Sequence, residues 1–98
     1  MEKNIEVSLL LDFYGELLKQ SGRKVIELYY NEDLSLSEIA DQIGITRQGV
    51  RDLIKRGELQ LKRYEEECGW CKKIGELQKI LEDDNPDIES IKKIVNQF

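Results

Sequence analysis

The stretch SLSEIADQIGITRQGVRDLIKR, residues 35–56, has small and apolar residues where a helix-turn-helix requires them. Ala40 is small enough for a second helix to cross the first at that point. Gly44 has no Cβ, so it can adopt the left-handed conformation that ends one helix and directs the chain into the next. Ile45 is then expected to fill the corner. This joint placement favours a helix-turn-helix over any other helical hairpin with a tight turn.

Both helices of this motif have capping residues at their starts. Ser35 and Glu38 have the spacing of a capping box for the first helix. Thr46 is a good N-cap for the second helix. After it, apolar residues follow at the three- and four-residue spacing of a buried stripe, namely Val50, Leu53 and Ile54. The sequence therefore predicts a helix-turn-helix over residues 35–57.

The second helix carries the polar side chains that would contact a nucleic acid. Arg47, Arg51 and Lys55 share one face of it. Arg and Gln near the start of such a helix suit the base edges of guanine and adenine, whereas later basic residues suit phosphates. The simpler interpretation is that these charges are only solvated. The candidate nucleic-acid-binding residues are Thr46, Arg47, Gln48, Arg51, Asp52, Lys55 and Arg56.

Charge is distributed unevenly along a chain that has 20 acidic and 15 basic residues and a net charge of −5. Residues 47–63 contain six bases and two acids, whereas the segments before and after them are acidic. Bulk electrostatics would repel DNA, so one basic segment between acidic ones indicates a local contact with nucleic acid. The acidic surfaces remain available to a protein partner.

Apolar residues at helical spacing predict two helices before the motif. The first is expected over Ile5–Lys19 and is ended by Ser21 and Gly22, and the second covers Arg23–Tyr30. Nearby aromatic residues could stack on bases, but core packing is the simpler role for them. These residues are Phe13, Tyr14, Tyr29 and Tyr30.

The C-terminal third is also expected to be helical. Beyond Arg56 the spacing fits one long helix, or two helices with a break near Gly69, and the cluster at residues 83–86 precedes a last helix. We expect a helical domain over residues 1–82 and a C-terminal helix over residues 83–98, which packs on that domain or on a dimer partner. The predicted fold is an all-α helix-turn-helix bundle with a C-terminal helical extension and without a winged-helix sheet.

Length and composition agree with a small cytoplasmic protein. A chain of 98 residues forms one domain and buries only roughly 60–65% of its unfolded surface, so dimerisation would add stability. No apolar run approaches the ~20 residues of a membrane span, and the N-terminus lacks a signal-peptide layout. We therefore expect a cytoplasmic protein with no membrane span.

The motif Cys68-Gly69-Trp70-Cys71 suggests redox or zinc chemistry, but its context does not support either. A thioredoxin-like site needs a strand before the motif. Zinc normally takes four ligands, and the chain has no histidine and no further cysteine, so two chains would be needed. Reduced, partly buried thiols are the simpler interpretation. We expect neither a metal nor another cofactor.

Catalytic motifs are not recognisable in the sequence. There is no histidine to transfer protons near neutral pH, no recognisable catalytic carboxylate pair and no phosphate-binding glycine loop. We therefore expect a protein that is not an enzyme.

Three segments extend the pattern beyond the motif: LLLDFYGELL at 9–18, VIELYYNEDLSLSEIADQIGITRQGVRDLIKR at 25–56, and residues 61–65. The pattern YY-x-x-D-x-S-L-x-E-I-A, with T-R-Q-x-V after it, is more specific than a helix-turn-helix alone. Through these segments the chain resembles the YlxM-like family of bacterial proteins associated with the signal recognition particle. That family is similar to region 4 of sigma factors, an all-helical module that reads a promoter element.

The resemblance implies a cytoplasmic regulator of the signal recognition particle pathway. Gly57 departs from the expected pattern, because it interrupts a helix where a good helix former is expected, and Cys68–Cys71 is not a family hallmark. The positions that match the family motif are Ser35, Leu36, Glu38, Ile39, Ala40, Arg47, Gln48, Val50, Asp52, Ile54, Lys55 and Arg56.

Three hypotheses of function remain open from the sequence. In the first, a dimer binds duplex DNA at half-sites about one helical turn, ~34 Å, apart. In the second, the basic helix binds the RNA or a protein of the signal recognition particle, mainly through phosphates and shape, because helices read A-form major grooves poorly. In the third, Cys68 and Cys71 form a thiol or zinc sensor. A protein-interaction module without nucleic-acid binding is a further alternative.

Overall fold

The structure is a computed structural model that describes residues 3–98. Within this range the chain forms six α-helices and a short 3-10 turn, Gly15–Leu17, and no strand. The predicted all-α fold is therefore confirmed. The helices are α1 (Ile5–Tyr14), α2 (Gln20–Tyr30), α3 (Leu36–Ile43), α4 (Arg47–Cys68), α5 (Trp70–Leu81) and α6 (Ile88–Val95). None of the helices in the described range is both long and apolar enough to cross a membrane.

The chain divides into two compact units, and the division, between Arg63 and Tyr64, falls within α4. The first unit contains α1, α2 and the helix-turn-helix formed by α3 and the start of α4. The buried core of the helix-turn-helix contains residues of α2 as well as residues of α3 and α4. The core residues are Val25, Tyr29, Ile39, Ala40, Val50 and Ile54. The predicted stripe on α4 is thus confirmed, with Leu53 half-buried beside it.

The local signals that delimit α3 and α4 form as the sequence predicts. In the capping box at the start of α3, the Glu38 N–H donates to Ser35 Oγ and the Ser35 N–H donates to the Glu38 carboxylate, both at 3.1 Å. Gly44 ends α3 in the left-handed region with φ 82°. The Gly49 N–H donates to Thr46 Oγ1 at 3.0 Å, which caps α4. These contacts fix where the second helix of the motif begins.

Ile45 is expected to fill the corner between α3 and α4, and it does so only in part. Its side chain is 39% exposed. Its Cδ1 lies 3.5 Å from the position that a Cβ of Gly49 would take, so it lies over the first turn of α4. It also lines an apolar groove that includes Ile43 and Leu53.

The predicted break at Ser21 and Gly22 is also misplaced. The chain leaves helical geometry at Leu18 and Lys19, both of which are extended, and α2 has begun by Gln20. Leu18 is buried, which fixes this connection against the core. Small residues in the first turn of α2 are compatible with a helix start, because the first turn leaves backbone N–H groups without intrahelical partners in any case. The first helix therefore ends earlier than its apolar spacing suggests.

Gly57 does not interrupt α4, although the sequence suggests that it would. It is buried within the helix. A Cβ at this position would lie 3.0 Å from Cδ1 of Ile26, a residue of α2 that is completely buried. The absence of a side chain lets α2 and α4 approach closely. Close packing of α2 against α4 therefore explains why a glycine occupies this position within a helix.

The second unit, residues 64–98, contains the end of α4, α5 and α6. Gly69 adopts a left-handed conformation with φ 64° between α4 and α5, which confirms the two-helix alternative. The Glu65 carboxylate accepts hydrogen bonds from the N–H groups of Cys71 and Lys72, both at 3.1 Å, and so caps α5. α6 starts at an Asp87 cap and packs on α5. The expected division of the chain after residue 82 stays a prediction.

Candidate nucleic-acid interface

The first three turns of α4 carry six of the seven candidate residues, and the seventh, Thr46, is the cap of that helix. Val50 and Ile54 are completely buried and hold this part of α4 against α2 and α3. Their burial turns the other faces of the helix outward. Five of the candidates on α4 are exposed and Arg51 is half-buried. The structure thus places Arg47, Gln48, Arg51, Asp52 and Lys55 on adjoining strips of α4, whereas Arg56, nine residues after Arg47, lies on the opposite side of the helix from Arg47.

The basic row formed by Arg47, Arg51 and Lys55 is the main electrostatic feature of this surface. Its members are spaced four residues apart on a regular helix, so they lie on the same side. Within residues 3–98, no carboxylate forms an ion pair with any of the three. Their charges are therefore available to an anionic ligand, which is the arrangement that phosphate binding requires.

Arg51 has an additional property. Its Nε atom is shielded from solvent and has no hydrogen-bond partner among the described residues. A buried N–H without an acceptor is unfavourable by about 1–3 kcal/mol, and native structures contain few such groups. Because the atom is shielded, a ligand can reach this donor only if the Arg51 side chain changes conformation.

Gln48 and Asp52 lie on a neighbouring strip of α4 and bind each other. The Gln48 side-chain amide donates to Asp52 Oδ1 at 3.0 Å. This contact orients both side chains, and the Asp52 carboxylate is the acidic group within the candidate surface. A carboxylate repels phosphate but can accept a hydrogen bond from the cytosine amino group. The strip is therefore better suited to a base edge than to the backbone.

Two residues outside the predicted set help to position α4. The Tyr30 hydroxyl of α2 donates to the Glu58 carboxylate of α4. Burial, and then the hydrogen bond to Glu58, raise the pKa of Tyr30 to about 12. The sequence suggests core packing for this tyrosine but gives no sign of its pairing with Glu58, because the two residues are distant in the chain. Phe13, another aromatic residue expected in the core, is instead 40% exposed.

Gly49 is a further residue that sequence reasoning overlooks. A Cβ there would lie 3.2 Å from Thr46 Oγ1 and 3.5 Å from Cδ1 of Ile45. The missing side chain gives the Thr46 hydroxyl room to reach the helix N–H groups. Its position three residues after an N-cap is the only sequence signal that points to this role.

The two cysteines lie in the second unit, away from the candidate surface in sequence. Neither forms a disulfide among the described residues, and both are of intermediate exposure. Cys68 is the last residue of α4 and Cys71 lies in the first turn of α5. Among residues 3–98, no group of three or more Cys, His, Asp or Glu side chains has the arrangement of a metal site.

Comparison with known proteins adds the following similarities. The model of the UPF0122 family, described as "Putative helix-turn-helix protein, YlxM / p13 like", matches residues 1–97. A UPF0122 protein of Acetivibrio thermocellus is 46% identical over 94 residues, which span 96% of this chain and 75% of the relative. A UPF0122 protein of Desulforamulus reducens is 47% identical over 81 residues, which span 83% of this chain and 69% of the relative. A third, from Clostridium perfringens strain 13, is 40% identical over 104 aligned positions, covering 99% and 93%.

Proposed function

The chain belongs to the UPF0122 family of YlxM / p13-like helix-turn-helix proteins, and from this premise we propose that it is a non-enzymatic regulatory protein that binds nucleic acid through α4. The basic row carries the proposal. Arg47, Arg51 and Lys55 lie on one side of the helix, and among residues 3–98 none of them forms an ion pair with a carboxylate. A nucleic acid supplies the negative charge that would pair with them.

Duplex DNA fits this surface best in the proposed mode of binding. The major groove is ~12 Å wide and admits an α-helix, whose first turns then reach the base edges. In this mode Arg47 and Arg51 contact guanine, the Gln48–Asp52 pair contacts an adjacent base, and Lys55 and Arg56 contact phosphates. A dimer would present two such helices to half-sites about one helical turn apart.

The resemblance to YlxM-like proteins supports a second target, the RNA of the signal recognition particle, and a role in that pathway in the cytoplasm. The same row would contact RNA differently. An A-form helix has a deep and narrow major groove, so Arg47 and Arg51 would bind phosphates and would not read bases. Proteins of the particle are the remaining candidates, with the acidic segments of the chain as contact surfaces.

The discriminating experiment compares Arg51→Ala and Arg51→Lys with the native chain on short duplex DNA of varied sequence and on signal recognition particle RNA. Loss of a base contact should weaken DNA binding by about 1–3 kcal/mol and relax the sequence preference. Arg51→Lys keeps the positive charge but loses the forked geometry of the guanidinium group. It should therefore bind more tightly than Arg51→Ala if Arg51 contacts a phosphate, and no more tightly if Arg51 contacts a guanine.

The matched control is the double variant Lys92→Ala, Lys93→Ala, which removes two charges from α6. Both lysines are exposed, and the change leaves the basic row intact. The test variant is the double variant Arg47→Ala, Arg51→Ala. Native affinity in the control, together with weak binding by the test variant, would support the proposal. Equal losses in the two double variants would reject it, because net charge alone would then explain binding. An absence of binding to any nucleic acid would favour a protein-interaction module.

A further inference from the structure

The first helix has apolar residues on both of its sides, and the structure buries only one of them. Val7, Leu10, Leu11 and Tyr14 form the buried side of α1. On the other side Ile5 is 82% exposed, Leu9 51% and Phe13 40%, at a regular four-residue spacing. Leu17, in the 3-10 turn that follows, is 58% exposed. We call these four residues the α1 stripe.

Exposed apolar patches commonly mark interaction sites. The α1 stripe is such a patch, because each of its four large side chains is at least 40% exposed. A single exposed apolar side chain would need no explanation. Three at helical spacing on α1, followed by Leu17, indicate a surface that another helix can cover.

The charges around the α1 stripe specify the kind of partner. Glu6, Asp12 and Glu16 are exposed on the same side as the stripe, and no lysine or arginine occurs between residues 4 and 18. Lys3, just before this segment, is paired with Asp33. The charged residues within positions 4–18 are thus all acidic, and Lys19 follows them. Their negative charge would repel an anionic membrane surface.

An open pocket of about 400 Å³ adjoins the stripe in the first unit and is lined in part by Phe13. Three carboxylates line it, those of Asp12, Glu16 and Glu27, against a single base, Arg23. Arg23 is already engaged, because its Nε donates to the Glu27 carboxylate. The pocket therefore retains an excess of negative charge beside an aromatic ring, which suits the stem and the charged end of a lysine or arginine side chain.

A second copy of this chain is a poor occupant on charge grounds. In an antiparallel pair of α1 helices, Leu9 would face Phe13 of the other copy, which brings Glu6 close to Glu16. In a parallel pair each acid would approach its own counterpart. Either arrangement places like charges at the edge of the contact, which opposes association.

We propose that the α1 stripe and its acidic pocket form a docking site for an amphipathic helix of another protein, whose apolar face is flanked by lysine or arginine. The partner's apolar side chains cover Ile5, Leu9, Phe13 and Leu17. A basic side chain of the partner enters the pocket between Asp12 and Glu16. This site does not use α4, so it is independent of nucleic-acid binding.

The test uses two fluorescent synthetic helices with the same leucine face, one flanked by lysines and the other by glutamates. Their binding to the full chain is measured by anisotropy. The lysine peptide should bind at least about tenfold more tightly than the glutamate peptide, equivalent to ~1.4 kcal/mol. Leu9→Gln, Phe13→Gln should weaken it by about tenfold or more, and Asp12→Lys, Glu16→Lys should reverse the preference between the peptides.

The matched control is Glu66→Lys, Glu67→Lys, which makes the same change of charge at exposed positions of α4 outside the site. It should leave binding of the lysine peptide unchanged. An equal loss in this control would overturn the proposal, since general attraction to an acidic chain would explain it. Equal affinity for the two peptides would also overturn it. Self-association of the native chain in sedimentation that is abolished by Leu9→Gln, Phe13→Gln would assign the stripe to a second copy instead.

Discussion

Replacement of Gly57 by leucine should destabilise the first unit because α2 and α4 are in contact at this position. A Cβ at Gly57 would lie 3.0 Å from Ile26 Cδ1 and 3.9 Å from Ile26 Cβ. Ile26 is completely buried, so neighbouring core residues restrict its movement. The remaining atoms of a leucine would then have to displace the isoleucine or separate the helices. Overpacking of this kind costs about 1–3 kcal/mol.

Removal of a glycine from a helix also has a favourable effect, which must be measured separately. Leucine is favoured over glycine in a helix interior by up to about 1 kcal/mol. Gly22 of α2 provides the control, because a Cβ there would meet no atom within 4 Å. Gly22→Leu therefore reports the change in helix propensity with little steric cost. The steric cost at Gly57 is the difference between the two variants, about 1–3 kcal/mol.

The assay is thermal and urea unfolding of the native chain and both variants, followed by circular dichroism. In a domain of 60–100 residues, each kcal/mol changes Tm by about 4–8 °C. Gly57→Leu should therefore melt well below Gly22→Leu. Equal stability of the two variants would refute the close approach of α2 and α4 at Gly57.

Three further predictions concern the capping box and the tyrosine that joins α2 to α4. Ser35→Ala removes the acceptor for the Glu38 N–H and should lower the free energy of unfolding by about 1 kcal/mol in urea titrations, whereas an unchanged midpoint would contradict the cap. The hydrogen bond from the Ser35 N–H holds the pKa of Glu38 below its ordinary value, so its contribution to stability is complete above that ordinary value and is lost as the pH falls through the lower folded value. Glu38→Gln should therefore reduce the loss of unfolding free energy at acid pH. An unchanged loss would count against this role of the Glu38 carboxylate. Burial and Glu58 raise the pKa of Tyr30 to about 12, so its contribution is complete below about pH 10 and is lost as the pH rises toward 12. Ultraviolet titration of Tyr30→Phe should lack one step near pH 12, and retention of that step would disprove the assignment.

The parts of the fold that follow from neighbouring residues could be predicted from the sequence. The capping box at Ser35, the left-handed Gly44 and the Thr46 cap all depend on contacts over three or four residues. The break between α4 and α5 was only one of two alternatives, because Gly69 is tolerated within a helix as well as at its end. Its observed conformation, with φ 64°, decides between them.

Features that depend on packing between distant residues were not predictable. Gly57 is explained only by Ile26, which lies on a different helix. α1 ends at Tyr14 although the apolar spacing continues past it, and Leu18 is buried after the 3-10 turn. Ile45 is 39% exposed although its apolar character favours burial. In each case the amino-acid pattern is compatible with two structures, and tertiary contacts select one.

The candidate site was predictable in its position and not in its details. Its position follows from the basic residues near the start of the second helix of the motif. The pairing of Gln48 with Asp52 and the shielded Nε of Arg51 depend on side-chain conformations, which a pattern does not contain.

Mapping of the bound surface by nuclear magnetic resonance locates the nucleic-acid contact residue by residue. The isotopically labelled chain is titrated with a short DNA duplex and, separately, with signal recognition particle RNA, while the backbone amide shifts are followed. The proposal predicts that the largest shifts occur in residues 46–56, that they include the side-chain Nε–H signal of Arg51, and that α1 and residues 64–98 change little. Shifts centred outside residues 46–56, or an unchanged Arg51 signal in a saturated complex, would contradict the assignment of nucleic-acid binding to α4.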